Sequence, residues 1–117
     1  MIAAKTLKVD RKKELAENAK KIVANGKGIL AADESIGTAG KRLASIGLEN
    51  TAENRLAYRD LLFAQAKQLK EHLGGVILFE ETVSQVKADG SLLIQPLLDA
   101  GILCGIKLDK VKVIVIV

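Results

Sequence analysis

In 117 residues there are one cysteine, one histidine, one proline, one tyrosine and two phenylalanines, and no tryptophan. Each scarcity removes a class of function. A single cysteine, Cys104, forms no internal disulfide, which fits a reducing compartment and a cytoplasmic chain. On an apolar run its thiol is expected to serve as a small buried hydrophobe. A lone histidine, His72, supports neither a paired-imidazole metal centre nor a serine–acid–histidine set. It reads as structural, near the C-terminal end of a helix where positive charge is favoured. Aromatics at 3% offer no stacking platform for bases, so nucleic acid is not an expected partner despite a net charge of +4. No apolar run reaches the roughly 18 residues that suggest a membrane span. The start, Met1-Ile2-Ala3-Ala4-Lys5, lacks the apolar core of a signal peptide, so a membrane is not expected as a partner either.

What is present reads as one globular domain with a modest core, at 49% hydrophobic and 27% charged residues. Its grammar is set by Gly28-Ile29-Leu30-Ala31-Ala32-Asp33-Glu34-Ser35, a glycine-led apolar run that ends in two carboxylates and a hydroxyl. The pattern returns in Gly74-Gly75-Val76-Ile77-Leu78-Phe79 before Glu80-Glu81-Thr82, and in Gly101-Ile102-Leu103-Cys104-Gly105-Ile106 before Lys107-Leu108-Asp109-Lys110. Such runs suit strands buried on both faces in a parallel sheet. Polar groups at the carboxyl ends of such strands are where α/β enzymes place their chemistry. Three of them with helical sequence between predict βα units.

Between the strands the spacing predicts helices. Residues 1–9 read as a loosely attached arm. Asp10 is a candidate N-cap for a helix with Leu15, Ala19, Ile22 and Val23 on one face, stopped by Asn25-Gly26. Its Lys12, Lys13, Lys20 and Lys21 read as a solvated face. A short helix is expected over 37–46, with Thr38 as cap and Leu43 and Ile46 inward, ended by Gly47. Asn50-Thr51-Ala52-Glu53 resembles a capping box. It opens a long helix to about Leu73 with Tyr58, Leu62, Ala66, Leu69 and Leu73 as the inner stripe. Lys87-Ala88-Asp89-Gly90 is a turn, and Pro96 suits the first turn of a short helix to Ala100.

The second helix begins directly after Asp33-Glu34-Ser35, so its free N–H groups face the strand end. Ser35, Thr38, Lys41 and Arg42 gather there. Hydroxyls and cations at a helix N-terminus suit a phosphate; ordinary capping beside two solvated basic residues explains the same pattern.

These motifs resemble class I fructose-bisphosphate aldolases. Gly26 to Ser35 resembles the family's first barrel strand. Lys41-Arg42-Leu43, Glu49-Asn50-Thr51, Glu53-Asn54-Arg55 and Tyr58-Arg59 resemble the helices that follow. Gly74 to Phe79 with Glu81-Thr82 resembles the second strand, and Gly105-Ile106-Lys107 with Asp109-Lys110 the third. The likeness covers residues 10–110. Ile36 and Glu80 depart from it, standing where threonine and often histidine are usual.

The resemblance implies an α/β fold, the N-terminal part of a (β/α)₈ TIM barrel with about three parallel strands. It implies reversible cleavage of fructose 1,6-bisphosphate to dihydroxyacetone phosphate and glyceraldehyde 3-phosphate in glycolysis, through a lysine Schiff base. Asp33 matches the first-strand catalytic aspartate. Lys107 matches the third-strand lysine that contacts substrate and helps hold its 6-phosphate end. Ser35, Thr38 and Arg42 match positions around that phosphate. The implied partner is a small sugar phosphate, with no metal and no cofactor, and full-length members are expected as homo-tetramers.

A whole barrel needs roughly 250 residues. The family's Schiff-base lysine lies on the sixth strand, its proton-accepting glutamate on the fifth and a further active-site lysine on the fourth, for which these 117 residues hold no positions. The expectation is therefore an incomplete barrel domain, inactive alone, with residues 111–117 as a divergent apolar tail. Lys110-Val111-Lys112 can be encoded with a splice-donor-like GTAA, so the tail is expected to be translated intron or the end of a truncated gene model. The alternative is a non-enzymatic module that binds phosphorylated or anionic ligands or pairs with another chain through its open sheet.

Overall fold

Glycine-led apolar runs become strands, and the strands pair in the order in which the chain writes them. The structure, a computed structural model, describes residues 9–107 and 114–116. The element order is α1 (Val9–Ile22), β1 (Gly28–Ala32), α2 (Ile36–Ala44), α3 (Ala52–Phe63), α4 (Ala66–Leu69), β2 (Leu73–Leu78), α5 (Glu80–Ser84), α6 (Gln95–Asp99), β3 (Leu103–Lys107) and β4 (Ile114–Ile116). The sheet order is β1-β2-β3-β4, with the first three strands parallel and β4 antiparallel to β3. The expected three-stranded parallel α/β unit is thus borne out. Most of the expected arm, Asp109-Lys110 and most of the tail lie outside the described residues. Among the described residues no helix is long and apolar enough to cross a membrane.

The sheet is buried on one face, not two. The register sets Leu30 beside Val76 and Cys104, and Ala32 beside Leu78. Val76, Leu78, Cys104 and Ala32 are all buried, and they pack with Phe63 of α3, Leu97 of α6, and Leu93 and Ile102. Alternation sends Ile29, Ala31, Ile77 and Leu103 to the other face. Ile29 is 50% exposed there, because this open sheet carries a helical layer on one side. At the sheet's foot the end of α1 crosses β2 closely: a Cβ on Gly74 would lie 2.5 Å from the Ile22 carbonyl carbon. The backbone N–H of Gly28 donates to the His72 carbonyl at 2.9 Å, tying β1 to the start of β2.

Helix boundaries and faces differ from the sequence reading in instructive places. Helix α1 starts at Val9, so Asp10 lies inside it, and it ends at Ile22 instead of near Asn25. Val23 and Leu15 stay exposed; Ile22 supplies the packing. Helix α2 is capped by Ser35, whose hydroxyl accepts from the Thr38 N–H, so Thr38 is not the cap. Leu43 is buried as expected, whereas Ile46 is exposed because the helix stops at Ala44 and turns through Gly47 at φ 75°.

The expected single helix over 51–73 is two. Thr51 caps α3 through the Asn54 N–H, and the chain breaks at Ala64-Gln65 before α4. The inner face of α3 is Arg55, Arg59 and Phe63, not the stripe through Tyr58 and Leu62. That choice follows from partners: both guanidinium groups find a carboxylate at the end of β2, as described next. Pro96 sits in the first turn of α6 as expected, and Gly90 at φ 86° closes the 87–90 turn.

Candidate active site

The carboxyl ends of β1, β2 and β3 bring the polar residues together. Asp33 follows Ala31 by two and Lys107 follows Gly105 by two, and Ala31 and Gly105 both pair with Ile77. Side-chain alternation therefore puts Lys107 on the open face, and Asp33, the residue after β1, turns toward it. Two strand spacings separate their backbones by roughly 9–10 Å, and the side chains close that gap: Lys107 Nζ lies 3.7 Å from Asp33 Oδ2. Both are partly exposed, at 38% and 27% of the side chain. A carboxylate and an ammonium, side by side and reachable from solvent, can handle a proton and hold an anionic or hydroxylic ligand.

The residues gathered from sequence as a phosphate cluster divide into two groups. Ser35 Oγ donates to Thr38 Oγ1 at 3.1 Å while accepting the Thr38 N–H, so both hydroxyls stand at the N-terminus of α2. Arg42 lies further along the helix and is drawn elsewhere. Its Nη1 pairs with Glu34 Oε1 and donates to the Tyr58 hydroxyl at 2.9 Å. The bond to Tyr58, followed by the nearby Glu34 charge, raises the Arg42 guanidinium above its ordinary value and keeps it cationic. Glu34, Arg42 and Tyr58 also line a cleft of about 510 Å³ along the flank of β1, with Leu30, Leu61 and Leu62. Asp33 and Lys107 are outside that cleft.

Behind the strand ends lies a network that sequence reasoning left without a role. Glu81, in the first turn of α5, accepts from Arg55 through two bonds of 2.8 Å and from Arg59 Nη1 at 3.4 Å. Arg59 Nη2 donates to the Glu34 carbonyl at 2.6 Å. Arg55 Nη1 donates to Asn50 Oδ1 at 2.7 Å, and Asn50 Nδ2 donates to the Ile36 carbonyl at 3.2 Å. The Arg55 fork lowers the Glu81 carboxyl below its usual range. Burial lowers the Arg59 guanidinium, with Glu81 and Glu34 opposing the shift. The signal was present: two arginines four apart share a helix face with Phe63, and a carboxylate begins the helix after the next strand. Among the described residues no group of three or more His, Cys, Asp and Glu side chains gathers as metal ligands do.

The family model described as fructose-bisphosphate aldolase class-I matches residues 14–117. The chain is 58% identical over 101 residues to the muscle-type fructose-bisphosphate aldolase of Lethenteron camtschaticum, covering 86% of this chain and 28% of that protein. It is 56% identical over 100 residues to a fructose-bisphosphate aldolase of Echinococcus multilocularis, with the same shares covered. A solved structure of fructose-bisphosphate aldolase from Plasmodium falciparum, in complex with TRAP and a small-molecule inhibitor, superposes with a TM-score of 0.83 at 50% identity. That match covers 97% of this chain and 32% of the Plasmodium one. The chain thus spans under a third of the length of these relatives.

Proposed function

The chain belongs to the class I fructose-bisphosphate aldolases, and we propose that it supplies the first three strands of a site that reversibly cleaves fructose 1,6-bisphosphate to dihydroxyacetone phosphate and glyceraldehyde 3-phosphate. The observation that carries this reading is the approach of Asp33 and Lys107 to 3.7 Å at the carboxyl end of the sheet. Chemistry on this fold belongs at that end of the strands.

In this reading Asp33 orients the substrate and moves a proton at the carbon that becomes the Schiff base and its hydroxyl. Lys107 contacts the substrate and helps hold the 6-phosphate end. The Ser35 and Thr38 hydroxyls meet that phosphate at the N-terminus of α2. Arg42 joins them by exchanging its bond to Glu34 for the phosphate. No metal is used, since the family's nucleophile is a lysine. That lysine has no position among these 117 residues, so they do not turn over alone. The same reading makes the complete enzyme a cytoplasmic, glycolytic homo-tetramer.

The test is a chimera in which residues 10–107 replace the matching segment of the Lethenteron muscle-type relative. Aldol cleavage at a rate within about tenfold of the parent, beside no cleavage by the 117-residue chain, is the expected result. A folded chimera without cleavage, or turnover by the short chain with a borohydride-trapped adduct on Lys107, contradicts the proposal.

A further inference from the structure

The residues between β1 and α2 carry the chemistry, yet they belong to no ladder and no helix: Asp33, Glu34 and Ser35 lie in irregular backbone. Something else must hold them. The side chains that reach this segment's backbone come from α3 and the turn before it. Arg59 takes the Glu34 carbonyl, between the candidate catalytic carboxylate and the cap of α2. Asn50, itself held by Arg55, takes the Ile36 carbonyl two residues later. Glu81 ties both arginines to the end of β2.

A buried ion pair is by itself a weak source of stability. Arg59 is 2% exposed, with Phe63 one turn along the same face. Its Nε has no partner. Burying a guanidinium carries a large desolvation cost, and well-packed apolar residues in place of a buried ion pair are often neutral or stabilising. A leucine or methionine on this face would satisfy the core. What only a forked, charged side chain does here is reach a strand-end carbonyl and a carboxylate together.

We propose that Arg59, held by Glu81, is a positioning residue: it fixes the backbone at Glu34 and thereby the placement of Asp33, while Arg55 and Asn50 anchor the segment at Ile36. The proposal rests on the aldolase reading given above. Misplacing a reacting group by about 1 Å can cost on the order of 10²-fold in rate, so the device acts on turnover more than on binding.

The test introduces Arg59→Met and Glu81→Gln into the chimera and into the 117-residue chain. In the chimera we expect kcat for fructose 1,6-bisphosphate to fall roughly tenfold to a hundredfold while KM stays within about threefold. Arg59→Lys, which keeps the charge but not the fork, should recover part of the loss. Lys87→Met removes the ion pair to Asp60 on the same helix and should leave both constants unchanged. In the short chain, hydrogen exchange at residues 34–38 should quicken about tenfold or more with β2 rates unaltered. Unchanged kcat overturns the proposal, as does a kcat loss without faster local exchange. Faster exchange throughout β2 also overturns it, by marking a structural role. A chimera inactive before any of these substitutions refutes the function proposed above, and the exchange pattern alone then decides the positioning role.

Discussion

Replacing Gly40 by alanine sets two effects of known size against each other. Gly40 is in the middle of α2, where alanine gains about 1 kcal/mol of helix propensity over glycine. A Cβ there would lie 2.8 Å from Asn50 Cγ and 3.2 Å from Asn50 Cβ, and closest to Asn50 Nδ2. The side chain must leave. It then gives up a neutral bond to the Ile36 carbonyl, worth about 1 kcal/mol, and a charge-assisted bond from Arg55, worth about 1.5–3 kcal/mol. The loss exceeds the gain, so Gly40→Ala should destabilise by about 1.5–3 kcal/mol. Urea denaturation of the wild type, Gly40→Ala, Asn50→Ala and the double variant forms a cycle that isolates the conflict. With Asn50 already truncated, Gly40→Ala should be neutral or stabilising by up to about 1 kcal/mol. If Gly40→Ala stabilises the wild type as much as it stabilises Asn50→Ala, the packing argument and the Asn50 anchor are both wrong.

Other perturbations test separate parts of the structure. Gly74→Ala drives a methyl into the backbone of Ile22, which cannot rotate away, and should cost about 1–3 kcal/mol or more in the same assay; a loss under about 0.5 kcal/mol would show that α1 is not seated on β2. Glu81 is held below its ordinary value near 4.5, so its stabilisation is complete above that pH and is lost as pH falls through the lower folded value. Acid titration of stability should therefore be shallower in Glu81→Gln, and the difference from wild type isolates Glu81 from Asp89, which is also lowered. Burial pushes the Cys104 thiol up to about 11, so maleimide at pH 8 should label it only once the chain is unfolded. Rapid labelling of the native chain would contradict that burial.

How far the sequence carried depended on whether a residue obeyed the ordinary partition of charge and oil. The strand runs did, and β1, β2 and β3 lie where glycine and branched apolar residues placed them, with their polar ends together. One-sided burial was hidden, because a run such as Ile29-Leu30-Ala31-Ala32 is apolar at every position and does not say which face lacks a second layer. The cap of α2 was misassigned by three residues because Ser35 and Thr38 both carry a capping hydroxyl, and only the backbone decides which accepts. The largest miss was α3. An apolar stripe through Tyr58 and Leu62 was read as inward and Arg55 and Arg59 were given no place, whereas distant Glu81 and the Glu34 carbonyl turn the arginine face inward. Periodicity sees one helix at a time and cannot see a partner 22 or 26 residues away. Asp33 and Lys107 were legible as candidate site residues only as strand-end groups within a family likeness, and their approach to 3.7 Å is a product of the register.

As proposed above, Asp33 handles a proton at the carboxyl end of β1 while Lys107 beside it holds the substrate. The kcat of the chimera carrying Asp33→Ala tests these roles most directly. General acid–base groups contribute about 10²–10⁴-fold to rate, so kcat should fall by that factor with KM for fructose 1,6-bisphosphate within a few-fold of the unsubstituted chimera. A kcat left unchanged, or a rise in KM that accounts for the whole loss, contradicts the role assigned to Asp33.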